Sequence, residues 1–501
     1  MKCKRFLAGL LALATMCAGS PAFPTVYADD ATEIIVGDIN GNGRYDIADA
    51  VLLSRYVGES DGFDKSLVSV ANSDVNKDGL VSWDDVTVIL RLIARLPIDN
   101  PGTTSGSRCL TDEITPIKVE DEGFQSDSFS AQQYDLALKL LQAATSQDTE
   151  GATESEDGYL EENQNVLVSP LSIEMALAML ANGAANDTLT SMEKILCGKD
   201  MKIADLNNIL YSYRKSLEAS DKVTMANAFW FKNDGRKNPL ENFLEACLSY
   251  YDASVYSAPF DQSTMDDINQ FVSDHTKERI TELIKQFPES PRAMLVNALT
   301  FDDTWKEEFS RSVTNAFINA DGTKSEVSLM EGSVEHHSWF EDDGCKFSAF
   351  SKEYDDGRYS FIGLLPNDPK LSMKDFAASF TSEELQNVVN QTVTSEEQYD
   401  LFLPKFKKEY GIELFGIMSD MGMNFDDFTN MYKENVSVGK ILHKTYIDVN
   451  QEGTAAAAAT GVGMTDAGLP TVRCDRPFMY MIYDNEADCP LFIGTVDTFA
   501  E

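Results

Sequence analysis

A chain of 501 residues with 43% apolar content is long enough for two or three domains and a sizeable buried core, which excludes a disordered polymer. Its 82 acidic residues outnumber 41 basic ones, and the formal charge of −41 opposes attraction to phosphate backbones and anionic lipid. Neither nucleic acid nor a membrane surface is an expected partner.

Lys2, Lys4 and Arg5 precede an apolar run from Phe6 to Cys17, and Val26-Tyr27-Ala28 offers small residues at the positions a signal peptidase reads. Residues 1–28 are therefore predicted to be an export signal, and the mature protein to be secreted and extracellular. About 12 apolar residues fall short of the ~20 that a spanning helix needs, and Met16 stands where a lipoprotein box before Cys17 would have a small residue. Once Cys3 and Cys17 have left with the signal, Cys109, Cys197, Cys247, Cys345, Cys474 and Cys489 remain, scattered and without metal-ligand spacing. Their pairing cannot be read from sequence.

Two segments, Asp38–Asp49 and Asp74–Asp85, repeat the same pattern, and each leads into a short helical pattern. A calcium loop supplies oxygens from its positions 1, 3, 5, 7, 9 and 12, with glycine at position 6 for the sharp turn. The first segment offers Asp38, Asn40, Asn42, the carbonyl of Arg44, Asp46 and Asp49 around Gly43. The second offers Asp74, Asn76, Asp78, the carbonyl of Leu80, Ser82 and Asp85 around Gly79. One such loop alone is open to reading as an Asx-rich turn; two in tandem predict two bound Ca2+ ions. Asp ends both loops where a calcium sensor would have Glu, and residues 33–97 thereby resemble the dockerin family. The resemblance implies a small all-α module of two loop-helix repeats that binds a cohesin domain on the scaffolding protein of a cellulosome-like complex. It also implies cohesin contacts at Ile47 and Ala48 in one repeat and at Trp83 and Asp84 in the other. The copies differ, so a symmetric dual binding mode is not implied, and packing within the module is the alternative role for Ile47 and Trp83.

Pro97 to Ser107 carries two prolines, two glycines and small polar residues, and residues 98–125 are expected to be a linker. From about residue 126 the composition is that of a globular domain. Tyr134, Ala137, Leu138 and Leu141 recur at helical spacing, as do Met175, Leu177 and Leu180. Tyr359–Leu365 and Phe478–Tyr483 read as strands, so helices dominate early and strands late in an α+β domain. The acidic stretch from Thr145 to Asn163 is expected to be a solvated loop.

Several separated motifs in residues 126–501 resemble a serpin: Asn165–Ile173, Asn297–Phe301 with Trp305 and Phe309, Leu403–Lys407, and Pro477–Tyr480 with Leu491–Thr495. The resemblance implies an α+β serpin fold with three β-sheets, eight to nine helices and an exposed reactive loop. It implies a suicide inhibitor of serine proteases, itself no enzyme, whose cleaved loop slides into the main sheet as an extra strand. The segment Gly453, Thr454, Ala455, Ala456, Ala457, Ala458, Ala459 and Thr460 matches the hinge of that loop. Taken alone, five alanines in a row equally suit a helix. Insertion would account for the composition, because Thr454, Ala456, Ala458 and Thr460 would pass over the core and must be small and uncharged, with Gly453 as pivot.

By the family's usual count the scissile bond joins Ala467 and Gly468, with Met464 and Leu469 as alternatives, and a small residue there favours elastase-like or subtilisin-like targets. From Thr454 to Ala467, insertion would carry the cut end roughly 46 Å at ~3.3 Å per residue. That is close to the ~50 Å diameter of a domain this size. The resemblance further implies a buried hydrogen-bond cluster of Ser169, Ser172, Asn297 and His443 behind the opening sheet, and a monomeric inhibitor domain. Two departures stand out: Asp302-Asp303 replaces a basic-small pair, and Gln451 replaces a glutamate, with Lys405 losing a partner unless Glu452 substitutes. A non-inhibitory serpin-like binding or chaperone protein is the alternative. A hydrolase is disfavoured, since His275, His336 and His337 lie outside catalytic motifs and no G-x-S-x-G or H-E-x-x-H occurs.

Overall fold

The computed structural model describes residues 37–40, 46–58, 63–69, 72–75, 81, 83–94, 106–121, 123–124, 127–146, 165–198, 201–233, 238–285, 287, 293–342, 345–433, 440–454 and 469–499. The predicted export signal lies outside them, as does most of the acidic Thr145–Asn163 stretch. Among the described residues no helix is long and apolar enough to cross a membrane. The chain divides into two compact units, residues 1–105 and 106–501.

In the first unit two helices, α1 (Ile47–Val57) and α2 (Trp83–Ala94), close over a small core of Ile39, Ala50, Leu53, Val68, Val75, Val86 and Ile89. Asp46 caps α1 by accepting from Ala48 N at 2.8 Å, while Asp49 returns to Asp46 N at 2.7 Å, a reciprocal capping box. The two repeats are tied to each other by Ser69 N to Ile39 O at 2.8 Å, Gly37 N to Asn72 O at 3.0 Å and Asn72 Nδ2 to Asp38 O at 2.8 Å.

The second unit holds three sheets. The central one orders its strands β1 (Arg108–Cys109), β4 (Ser254–Ala258), β3 (Val223–Lys232), β5 (Ala293–Phe301), β14 (Lys440–Val449), β15 (Gly453–Thr454) and β6 (Asp303–Thr304), with β13 (Phe406–Glu413) on the outer side of β14. A second sheet runs β2 (Leu167–Val168), β18 (Cys489–Val496), β17 (Phe478–Asp484), β11 (Tyr359–Pro366), β10 (Cys345–Glu353) and β9 (His336–Asp342). A third runs β16 (Thr471–Arg473), β12 (Tyr399–Pro404), β8 (Lys324–Val334) and β7 (Arg311–Ile318). Nine helices are described in this unit: α3 (Asp127–Ser146), α4 (Pro170–Ala181), α5 (Asn186–Leu196), α6 (Ile203–Ser220), α7 (Glu241–Tyr251), α8 (Gln262–His275), α9 (Met373–Ala378), α10 (Ser382–Val393) and α11 (Phe415–Asp420).

Strand β5 shows why the central sheet is buried on both faces. Ala293, Leu295, Leu299 and Phe301 join the main core, whereas Met294, Val296 and Ala298 meet Ile268 and Val272 of α8 on the other side. A near-continuous apolar run, broken in β5 only by Asn297 and Thr300, is what a strand covered on both faces requires. The start of this unit corrects the expected linker. Arg108 and Cys109 pair with Ser257 and Tyr256 of β4, Leu110 is buried, and Phe124 stacks on Tyr213 at 4.5 Å, so residues 106–124 belong to the globular unit. Scattered apolar residues in a polar stretch anchor it where the edge of β4 offers unpaired backbone. Cys109, Cys197, Cys247, Cys474 and Cys489 are free thiols.

Helix α4 is buried along its whole length, which fits its all-round apolar sequence and makes its one acid, Glu174, conspicuous. Burial pushes the Glu174 carboxyl up to about 8, with Gln133 Nε2 of α3 donating to it. The folded chain thus holds a proton that the unfolded chain releases at its ordinary 4.5. Stability from this site is full below that pH and falls as pH rises through about 8. Glu174→Gln should therefore melt increasingly above wild type as pH climbs from about 4.5 to 8, with a gain of roughly 2 kcal/mol or more at the upper end. A melting-temperature difference that stays flat over that range in calorimetry would refute a protonated Glu174.

Candidate functional site

The seam of the central sheet lies between β5 and β14, which run parallel and in register from Met294 opposite Lys440 to Thr300 opposite Tyr446. Beyond that point the strands part. The chain leaves β14 at Val449, turns, and comes back antiparallel as β15, with Thr454 opposite Val449 on one side and Asp303 on the other. The turn is held by Asn450 N to Gly453 O at 2.9 Å, Trp305 N to Glu452 O at 2.8 Å, Phe309 N to Gln451 O at 3.0 Å and Trp305 Nε1 to Asn450 O at 2.9 Å. Gly453 admits no side chain, since a Cβ there would stand 2.1 Å from the Asp303 carbonyl oxygen.

Thr454 is fully buried, and its hydroxyl shares a 2.6 Å hydrogen bond with Tyr354, on which Trp305 stacks at 4.4 Å. The first small side chain of the expected hinge already occupies the mouth of the seam. Ala455, Ala456, Ala457, Ala458, Ala459, Thr460, Met464, Ala467 and Gly468 lie outside the described residues. Leu469, the next described residue, is exposed, and Thr471–Arg473 joins the third sheet as β16, parallel to β12.

Behind the seam, Ser169, Ser172, Asn297 and His443 come together, all essentially without solvent contact. Asn297 and His443 are register partners on β5 and β14, while the serines begin α4, Ser169 as N-cap and Pro170 in the first turn. Ser169 N donates to His443 Nε2 at 3.2 Å, which leaves the ring proton on Nδ1 to bond Asn297 Oδ1 at 3.1 Å. Ser172 Oγ donates to the same Oδ1. Burial holds the imidazole down at about 3, so it is neutral here and no general base in water. The cluster has a fifth member that sequence reading missed: Asn227 of β3 accepts from Asn297 Nδ2 at 2.7 Å. A lone amide inside the apolar run of β3 was the available signal.

The pair Asp302-Asp303 is explained by local partners. Burial pushes both carboxyls up, and each is countered by a cation: Arg279 3.2 Å from Asp302, and Lys222 2.5 Å from Asp303. Gln451 acts through its backbone carbonyl, as does Glu452, and Lys405 N donates to Ser328 O at 2.8 Å.

In the first unit, Asp38, Asp49 and Asp85 are buried. Asp49 Oδ1 accepts from Asn40 N at 3.0 Å, and Asp85 Oδ1 accepts from Val75 N at 2.7 Å, so the last acid of each repeat reaches back to a backbone N–H near the start of its loop, at position 3 in the first and position 2 in the second. Burial, with the carboxylates of Asp46 and Asp38 adding to it, pushes Asp49 up. Such crowding of carboxylates suits a hard divalent cation with oxygen ligands. Asn42, Arg44, Asn76, Asp78, Leu80 and Ser82 lie outside the described residues, and the described ones alone form no cluster of three or more metal-ligating side chains. Ile47 and Ala48 are exposed at the start of α1, and Val51, one turn on from Ile47, adds a second exposed apolar residue that the sequence reading did not single out. Trp83 instead is partly buried against the module core, with its ring against Gly58, and Asp84 follows it in α2.

Comparison with known proteins agrees with this geometry. The family profile described as Serpin (serine protease inhibitor) matches residues 136–498, and the profile described as Dockerin type I domain matches residues 36–94. A serine protease inhibitor of Mus musculus is 31% identical over 357 residues, 66% of this chain and 82% of that protein. A serpin-like protein of Methanosarcina mazei is 29% identical over 67% of this chain and 81% of its own length. The native-state crystal structure of tengpin, a thermophilic serpin, superposes with a TM-score of 0.68 and 31% identity, covering 79% of this chain and all of that one. A two-unit protein whose larger unit has a three-sheet fold with a strand reversing into its own central seam is thus placed by fold and sequence alike. The chain belongs to the serpin family, and it carries a type I dockerin domain ahead of the serpin domain.

Asn297 is the common partner of Ser172, His443 and Asn227, so Asn297→Ala would orphan several buried polar groups at ~1–3 kcal/mol each. Urea unfolding should show a loss of ~3 kcal/mol or more. A loss below ~1 kcal/mol would mean that the cluster does not stitch the seam.

Proposed function

We propose that this protein is a secreted suicide inhibitor of serine proteases with elastase-like or subtilisin-like specificity, anchored by its dockerin to a cohesin-bearing scaffold outside the cell. The observation that carries the inhibitory reading is the seating of Gly453–Thr454 as an antiparallel strand in the mouth of the seam. A protease that cleaves between Ala467 and Gly468 would free the segment from Ala455 to Ala467 to follow Thr454 between β5 and β14. The acylated end would travel with it, and the active site of the protease would be distorted before water completes hydrolysis. The chain itself performs no catalysis; its contribution is a strand that inserts faster than deacylation.

Thr454→Arg tests this mechanism. Arginine would have to bury an unpaired charge where Thr454 now bonds Tyr354, at a cost of several kcal/mol. Each 1.4 kcal/mol added to the insertion barrier slows insertion about tenfold. Cleavage at Ala467–Gly468, read by mass spectrometry of the released fragment, should persist while the complex that survives denaturing electrophoresis disappears. Thr454→Ala, still small and uncharged, should keep trapping protease. Undiminished trapping by the arginine variant would exclude insertion through this hinge.

The dockerin would bind two Ca2+ ions, one per repeat, through Asp38, Asn40, Asn42, the Arg44 carbonyl, Asp46 and Asp49, and through Asp74, Asn76, Asp78, the Leu80 carbonyl, Ser82 and Asp85. Exposed Ile47, Ala48 and Val51 support the first repeat as the face offered to a cohesin. In calorimetry the wild-type protein should take up calcium at two sites. The double variant Asp38→Ala, Asp74→Ala should lose calcium uptake and cohesin binding while keeping protease inhibition. Wild-type protein that takes up no calcium would sink the metal assignment.

A further inference from the structure

Among the described residues of the second unit, three large apolar side chains are exposed: Ile117, Trp339 and Leu469. The last two border one place, the first residues of β12. Trp339, 52% exposed on the edge strand β9, donates from its indole nitrogen to the Tyr399 hydroxyl at 2.8 Å. Tyr399 opens β12, and the next residue, Asp400, pairs with Thr471 of β16 and donates its backbone N–H to Pro470 O at 2.9 Å. Leu469 directly precedes that proline. A single exposed apolar side chain is ordinary, but two brought to one spot beside the end of the reactive loop ask for a partner.

Trp339 is also held in place. His337, two residues back on the same face of β9, stacks on Tyr399 at 3.6 Å and meets Trp339 edge-on at 5.3 Å. Burial holds its imidazole down at about 4, so the ring is neutral and packs as an aromatic. An indole fixed in this way loses little freedom when a partner covers it, and such anchors carry much of an interface's affinity. The surround is acidic: Glu335 and Glu341 on either side of Trp339, and Glu396 and Glu397 before Tyr399, are exposed, while Lys346 is tied to Glu341 at 2.7 Å. A basic surface is the complement. Chain length fixes how near a protease must come. Ala467 is four residues from Thr471, so a bond cut after it stands no more than ~14 Å away at ~3.5 Å per residue. A standard interface covers ~800 Å2 on each partner, a disc of ~16 Å radius. A protease centred on that bond therefore reaches the start of β12.

We propose that Trp339, within its acidic surround, is a docking site for the body of a basic serine protease engaged on the reactive loop; this rests on the reading of Ala467–Gly468 as the bond attacked. The test binds the full chain to a basic elastase whose catalytic serine is replaced by alanine, so that neither cleavage nor trapping enters the measurement. Wild type should bind, more weakly as salt rises. Trp339→Ser should weaken binding at least tenfold and Trp339→Phe much less, with melting temperatures unchanged, and Glu396→Gln with Glu397→Gln should flatten the salt dependence. Docking that depends on Trp339 although active elastase forms no trapped complex supports the site and overturns only the inhibitory reading. Wild type that does not bind, or Trp339→Ser that binds as wild type does, overturns the proposal; the second result together with a wild-type dimer that Trp339→Ser dissolves would give this face to another copy of the chain. Should Trp339→Ser not fold, hydroxyl-radical footprinting of wild type decides: protection of Trp339 by the inactive elastase supports the site, and unchanged oxidation refutes it.

Discussion

Everything specific to this fold turns on the pairing of β5 with β14. It is a parallel ladder in a central sheet whose other described pairings are antiparallel except for β3 with β4, and parallel pairing is slightly the weaker kind per residue. At its upper end the ladder gives way to β15, which is antiparallel to both of its neighbours. Extending β15 downward would exchange one parallel ladder for two antiparallel ones. The described arrangement is therefore held short of a better-bonded one by whatever keeps β5 and β14 paired.

What keeps it closed lies behind the sheet and is polar. An apolar contact across β5 and β14 would let the strands slide at little cost. Asn297 and His443 instead demand directional partners, and each is satisfied only while β3, β5, β14 and the first turn of α4 hold their present positions. Buried groups that lose a partner without access to water are expensive, so the cluster acts as a threshold. Neutrality of His443 belongs to the same argument, because an imidazolium there would add an unpaired buried charge.

Much of this was legible in the sequence where chemistry is local. The spacing of carboxylates in Asp38–Asp49 and Asp74–Asp85 is a property of a dozen consecutive residues, and Thr454, right after Gly453, is small, uncharged and fully buried as that stretch suggests. Other features escaped because they are made by residues far apart in the chain. Thr454 meets Tyr354 across 100 positions, and Asn227 meets Asn297 across 70. The stretch from residue 106 reads as linker by composition, yet it pairs with β4, whose exposed edge cannot be inferred from the stretch itself. Ile47 and Trp83 occupy matching places in the two repeats but differ in exposure: Trp83 packs on the module core with its ring against Gly58, whereas Ile47 is exposed, a difference that matching positions alone do not reveal.

The unusual acids at the mouth of the seam follow from the same geometry. Asp303 sits opposite Thr454 on β6, and its carboxylate is paired with Lys222 beyond the last residue pair of β3 and β5. Asp302 reaches Arg279, which follows α8 and so ties the outer covering of the sheet to the end of β5. A basic residue at either position would face these cations directly. The acids therefore fix the corner where β15 meets β6, and they do so while Thr454 turns its hydroxyl to Tyr354 and not toward either carboxylate.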